Sequence, residues 1–526
     1  MRTARATALF PALILFVFPA SPARASADVP PAAFADPGRR ANLLAALPAV
    51  EKAVAEAMEK QKFPGAAFGV IVDGELVWSK GWGVRETSGG AANAVDADTV
   101  FRIASMTKSF TALAILKLRD DGRLSLDDAV AKWVPELAGM PKATEDSPVL
   151  TIRHLLTHSE GFPEDNPWGD RQLARSDAFL AAMVKAGIPF SNAPGVAFEY
   201  SNTGFALLGR VVANVSKMRY RDYVDANILK PLGMTSTYWE ASAVPPGRLA
   251  KGYRRDGDAL VEEPLLGDGS FGSMGGLFST VRDLGRYTAY FLSAWPPRDG
   301  SDAGPVARAS LREMQQVARV SQASAHRPKA DGPLFLAAGG YAYGLGARAT
   351  CRFRHVVSHG GGLPGFGSTM FWLPEHGVAL VGLANLTYAG FGGAVNGALD
   401  AFVATGALKP RVPQPSPALL AAQAAVDRLY ERWDDSAFDA LAADNLVLDT
   451  PKEKRRGEFA DLRAKHGACV ARALEAEIAL RGTWTLACER GEIALRLTLA
   501  PTQPPKVQFL EAKPGPPPPP EEACKP

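Results

Sequence analysis

The sequence predicts a mixed α/β chain of the α+β kind: an antiparallel sheet flanked by helices, with a helical subdomain and a small C-terminal α+β domain. Three observations predict it. β-prone hairpins stand near residue 70 and near residue 375, far apart in sequence, with helix-like segments and Pro/Gly-rich loops between them. A proline-rich linker at 409–417 then interrupts the pattern, and a new amphipathic helix begins beyond it.

Taken in order, Arg2 and Arg5, the apolar run Leu9 to Phe18 and Ala23-Arg24-Ala25 read as a secretory signal over 1–25, so the mature chain is expected to be exported, periplasmic or secreted. A helix-like run ends near Lys60. Ala67 to Val72, the turn Asp73-Gly74 and Glu75 to Val84 form the first hairpin, because Asp-Gly between β-prone runs suits a tight turn. Met106 to Arg119 is a helix stopped at Gly122, and its segment Phe110 to Leu118 is apolar on nearly every side, as in a buried helix. Residues 125 to 290 read as helices and long loops. Phe366 to Leu373 and Val378 to Ala384 form a second hairpin, and a small-residue helix over Gly393 to Thr405 closes the domain at 28–408.

Ser416 and Pro417 suit an N-cap and first helical position. Leu419, Ala422, Val426, Leu429, Tyr430 and Trp433 follow a helical period, and Ile493, Leu495, Leu497 and Leu499 alternate as a half-buried strand. Together they predict a small α+β domain at 418–512. A proline-rich tail over 513–526 is expected to be extended and disordered.

The 526 residues are too many for one core, and a net charge of +3 without a basic, aromatic-interleaved stripe excludes nucleic acid as a partner class. After the leader no segment reaches the roughly 20 apolar residues of a membrane span. Four cysteines allow three pairings. Cys469 and Cys488, close together in one small domain, are the first pair expected, while Cys351 and Cys524 need a long-range bridge or stay free.

Chemistry concentrates in three short segments. Ser105 and Lys108 lie three residues apart at the start of a helix, so their side chains share one face. A serine hydroxyl is a poor nucleophile until a base takes its proton, and a lysine does so once desolvation lowers its pKa. The backbone N–H of Ser105, at a helix start, is free to face an oxyanion. Tyr200-Ser201-Asn202 offers a phenol as base or proton relay and an amide that binds Lys108 and a substrate. Ser358-His359-Gly360-Gly361-Gly362, read as preceding a strand, lets a substrate lie against the strand edge at Gly361, with the Gly362 N–H as second oxyanion donor. Each segment alone has an ordinary structural reading: a chance Ser-x-x-Lys, a core tyrosine with a helix cap, and a glycine turn.

In this order the three segments resemble the serine β-lactamase and penicillin-binding-protein family, on its class C and D-alanyl-D-alanine carboxypeptidase side, where Ser-x-x-Lys, Tyr-x-Asn and Lys/His-x-Gly follow one another. Val100 to Ala104, Thr151 to His158, Gly275 to Thr280 and Pro364-Gly365-Phe366 extend the resemblance over residues 45 to 405. It implies a β-lactamase/transpeptidase-like fold and an exported serine hydrolase without cofactor, forming an acyl-enzyme at Ser105. Lys108 and Tyr200 would share proton transfer, Asn202, His359 and Gly361 would bind substrate, and the Ser105 and Gly362 N–H groups would form the oxyanion hole. The expected substrates are small molecules or peptides: D-residue amides, esters or β-lactams. The alternative is a penicillin-binding or sensing homologue with little turnover.

The chain also departs from the family pattern. His359 stands where the third motif carries a lysine, weakening attraction of a substrate carboxylate near neutral pH, and Ser273-Met274 replaces the usual Pro-Ala. No glutamate of the class A type stands out as activator of the deacylating water. These differences argue against strong β-lactamase activity. Thr157-His158-Ser159-Glu160-Gly161 lacks the first glycine of a nucleophile elbow, and Leu155 stands where a metalloprotease helix bearing His154 and His158 needs glutamate, so no metal is expected. The C-terminal domain loosely resembles the helix-plus-curved-sheet modules of the nuclear transport factor type.

Overall fold

A computed structural model describes residues 29–88, 93–166, 168–327 and 334–516; the expected signal and most of the expected tail lie outside them. The described residues divide into two compact units, 31–413 and 414–516.

The larger unit is organised by one eight-stranded antiparallel sheet. Its strands are β1 (Gly65–Val72), β2 (Glu75–Gly83), β3 (Arg319–His326), β4 (Phe335–Tyr341), β5 (Gly346–Thr350), β6 (Val356–Leu363), β7 (Phe366–Leu373) and β8 (Val378–Ala384). Their spatial order is β2-β1-β8-β7-β6-β5-β4-β3, so the first hairpin docks on the last strand. In the register Ala66 faces Ala384 and Val72 faces Val378.

Every residue of β1 is buried, because both faces of the sheet are covered. The period of a strand then divides its side chains between two cores. Phe68, Val70 and Val72 pack with Val50, Val54 and Met58 of helix α1 (Leu47–Gln61) and with Ala398, Leu399 and Phe402 of a helix at Gly392–Ala404. Ala67 and Ile71 join the opposite core with helix α2 (Thr107–Asp120), helix α3 (Asn202–Ser216) and helix α4 (Val281–Leu292). Leu113 to Leu116 of α2 are fully buried. The Phe110 ring stacks on Tyr287 at 3.9 Å, and the Tyr287 hydroxyl donates to Ser109 Oγ at 2.8 Å.

Three sequence expectations are corrected. His359 to Gly362 lie within β6 rather than ahead of a strand, since β6 pairs residue for residue with β7 and glycine content does not prevent main-chain pairing. Strands β3 to β6 fall in a stretch the sequence reading left without strands, where small and polar residues obscure alternation. Lys513 and Pro514, expected in the tail, end a strand of the C-terminal unit at Val507–Pro514.

That unit sets a helix at Pro417–Glu431, capped by the Ser416 hydroxyl, and a helix at Lys452–His466 with a five-stranded sheet. Val426, Leu429, Phe438 and Phe459 pack there with Trp484, Ile493, Leu495 and Leu497. Cys469 and Cys488 are paired across adjacent strands as a disulfide, 19 residues apart.

Close packing fixes the third motif against the serine turn. A Cβ on Gly361 would stand 2.2 Å from the Ile103 carbonyl oxygen and 2.3 Å from Ser368 Oγ, whereas one on Gly360 would meet nothing nearer than 3.7 Å. Gly361→Ala is therefore expected to lower thermal stability by about 1–3 kcal/mol, with Gly360→Ala near wild type in the same unfolding scan. Replacing Cys469 and Cys488 by serine is expected to destabilise the C-terminal unit by about 3 kcal/mol, read as an earlier urea transition of the full chain.

Candidate active site

The chain turns sharply just before α2. Ala104 has φ +50, in the left-handed region that β-carbon-bearing residues rarely occupy, and residues Ala104–Met106 form a short 3₁₀ turn leading into the helix. The turn is pinned from both sides: Ile103 N–H donates to Leu277 O at 2.9 Å, and Ser368 Oγ donates to Ile103 O at 2.7 Å. Ser105 therefore sits at a helix start, where its N–H has no acceptor one turn earlier in the helix.

Lys108 is 0% exposed, and its Nζ lies 3.2 Å from Ser105 Oγ, 2.6 Å from Asn202 Oδ1 and 3.0 Å from Met274 O. Burial pushes its pKa down to about 7, with Asp170 and then Asp165 opposing the shift. A neutral amine has two hydrogens and one lone pair. Two of its neighbours, the Asn202 and Met274 oxygens, can only accept, so they take the hydrogens and the lone pair is left for the Ser105 hydroxyl.

Tyr200 lies beside the same amine, with Lys108 Nζ 4.7 Å from the ring centroid. Burial holds its phenol well above the usual range, and the hydrogen bond with Ser105 offsets that only in part. Near neutral pH Tyr200 is thus a phenol, and Lys108 is the better proton acceptor of the two.

Asn202 opens α3, and its placement is enforced by its neighbours. Asp165 accepts from the backbone N–H of Asn202 at 2.6 Å and of Thr203 at 2.8 Å, capping the helix. Asn166 Oδ1 accepts from Asn202 Nδ2 at 2.6 Å, which turns the amide oxygen towards Lys108. His158 is fully buried, accepts from Ser201 N–H at 3.1 Å, and packs its ring 4.3 Å from that of Tyr200.

His359 is held by the protein at both ring nitrogens. Its Nδ1 lies 2.5 Å from Gly360 O and its Nε2 2.9 Å from the Tyr341 hydroxyl. A carbonyl can only accept, so Nδ1 carries the hydrogen and Nε2 accepts from Tyr341. Burial, reinforced by the charge of Lys108, lowers the pKa to about 4. The ring is neutral, and both nitrogens are taken by the protein.

These groups border a cleft of about 610 Å³ lined by Ser105, Asn166, Asp170, Tyr200, Tyr388 and the run His359 to Gly362. The structure thus brings together Ser105, Lys108, Tyr200, Asn202, His359, Gly361 and Gly362 from three distant segments. Sequence reasoning missed Asp165, Asn166, Asp170, Tyr341 and Tyr388, which stand outside the motifs, and it set His158 aside. A signal existed only for His158, the last residue of a segment already noted for its resemblance. His154 has a separate duty: its Nδ1 accepts from Thr151 N–H at 3.1 Å and closes a helix N-terminus.

Residues 50–405 match the family model described as Beta-lactamase. Protein flp of Staphylococcus aureus (strain COL) is 30% identical over 332 residues, 62% of this chain and 61% of that protein. Beta-lactamase-like protein 2 of Dictyostelium discoideum is 32% identical over 258 residues, 47% of this chain and 46% of that protein. The chain thus spans about three fifths of the length of the first of these relatives. An octameric penicillin-binding protein homologue from Pyrococcus abyssi superposes with a TM-score of 0.55 at 23% identity, covering 86% of this chain and 96% of its own. A class C β-lactamase gives 0.53 at 20% identity, with 68% and 96% covered. At those identities the two structures share the fold. With the family model covering most of the chain and the sheet, turn and helix arrangement in place, the chain belongs to the Beta-lactamase family.

Proposed function

We propose that this protein is a serine hydrolase that acylates Ser105 and passes the acyl group to water. The observation that carries the reading is the buried Lys108 amine, 3.2 Å from Ser105 Oγ and lowered to a pKa of about 7. Neutral Lys108 takes the hydroxyl proton as Ser105 Oγ bonds to the substrate carbonyl carbon. The N–H groups of Ser105 and Gly362 stabilise the oxyanion. Collapse breaks the bond to the leaving group, which receives the proton from Lys108 directly or through the Tyr200 phenol. Water then cleaves the ester by the same route in reverse. Esters and amides, D-residue peptides among them, are the substrates this chemistry suits; β-lactams suit it less, because neutral His359 offers no charge to their carboxylate.

We also read the protein as exported. The Cys469–Cys488 disulfide suits an oxidising compartment, and no helix among the described residues is long and apolar enough to cross a membrane. A sensor that acylates and barely turns over is the second reading. It draws on Asp170, the one acid lining the cleft among the described residues, being buried and bonded through Oδ2 to Tyr388, so that no exposed carboxylate stands ready to activate water.

Two measurements test the proposal. A fluorophosphonate is expected to add one phosphonyl group to the wild-type chain and none to Ser105→Ala by intact mass; equal labelling of both would refute the assignment. With p-nitrophenyl acetate, kcat/KM is expected to fall about tenfold per pH unit below a pKa of about 7, because only the neutral amine accepts a proton. Lys108→Ala should lower kcat about 10²- to 10⁴-fold. A burst without steady-state turnover would favour the sensor.

A further inference from the structure

The charge pattern of the cleft runs opposite to what a carboxylate-bearing substrate needs. No lysine or arginine lines it among the described residues, and His359 has both ring nitrogens committed to Gly360 and Tyr341. The one acid lining it among the described residues, Asp170, is only 2% exposed. Asp170 Oδ2 accepts from the Tyr388 hydroxyl at 2.9 Å, but Oδ1 is buried without any hydrogen-bond donor among the described residues. Asp165 makes the contrast clear, since its two oxygens are occupied by the N-terminus of α3 and by the Thr203 hydroxyl. A buried carboxylate oxygen left unpaired carries a desolvation cost that a ligand donor would remove.

Tyr388 holds the other oxygen of that carboxylate at the cleft. It is 51% exposed and has φ +53, while its ring lies against Gly362, where a Cβ would come within 2.4 Å of Cδ1. It therefore reaches from the glycine edge to Asp170 with about half of its surface in solvent.

We propose that Asp170 is the specificity residue of the cleft, binding a protonated amine of the substrate when Tyr388 swings aside, so that the enzyme prefers cationic acyl groups such as aminoacyl esters and amides. This inference rests on the acyl-enzyme reading and names its substrate class. A charge-assisted hydrogen bond from an ammonium satisfies Oδ1, whereas a carboxylate in its place meets a like charge. The burial that leaves Oδ1 unpaired also makes that repulsion stronger than it would be in water.

The test uses the intact chain and three fluorophosphonates with arms of matched length, ending in a primary ammonium, a methyl or a carboxylate. In each case the Ser105 Oγ–P bond forms, the P–F bond breaks and fluoride leaves, so the second-order labelling rate reads recognition at the same nucleophile. Across a short series of arm lengths, the ammonium probe is expected to label about tenfold or more faster than the methyl probe, and the carboxylate probe slowest. In Asp170→Asn the ammonium-to-methyl ratio should collapse towards unity, a ratio that partial misfolding alone does not move. Equal rates for the three probes on the wild-type chain, or a fastest carboxylate probe, would overturn the inference while leaving the nucleophile assignment intact. Absence of labelling by all three would overturn the acyl-enzyme reading, and this inference with it.

Discussion

Removing the Lys108 amine from water is the constraint around which the larger unit is arranged. An isolated ammonium in a protein interior costs several kcal/mol even after relaxation. Here the cost is met by releasing the proton near neutral pH and by supplying oxygen acceptors from two other segments, Asn202 and Met274. The apolar surroundings of α2 create the need, and the start of α3 and the Gly272–Gly275 helical turn answer it. In the proposed mechanism the same burial is what lets Lys108 act as a base towards Ser105.

Around this amine lies a second layer drawn from residues 158 to 170. Asp165 and Asn166 aim the Asn202 amide, and His158 holds the backbone at Ser201. These are loop residues acting on main-chain donors and amide groups, so their effect on Lys108 is indirect. Their geometry determines which oxygen faces the Lys108 amine, and hence whether its lone pair is left for Ser105.

The sequence made the three motifs legible because their residue types have few other uses in that order. The β7–β8 hairpin was legible as well, since Phe366 to Leu373 and Val378 to Ala384 are strongly β-prone and bracket a short turn. Strands β3 to β6 were not, because runs such as Ala337-Ala338-Gly339-Gly340 lack the side chains that make alternation visible. Asp170 and Tyr388 lie 218 residues apart, and only the folded chain shows that they meet. A histidine in the third motif is legible in the sequence as a weaker partner for a carboxylate than a lysine. That both its nitrogens are occupied depends on Tyr341, which no local pattern ties to it.

In the proposed mechanism, the docking of β1 onto β8 bears on when Ser105 becomes a nucleophile. The turn holding the nucleophile is braced by Ser368, and the central sheet closes only when Val378–Ala384 joins the strand at Gly65–Val72. A ribosome that has emitted the serine and its lysine has still to deliver more than half of this unit. Until then the amine remains hydrated and protonated, and the hydroxyl beside it stays an ordinary alcohol. Such a topology delays the onset of reactivity until synthesis of the unit is almost finished.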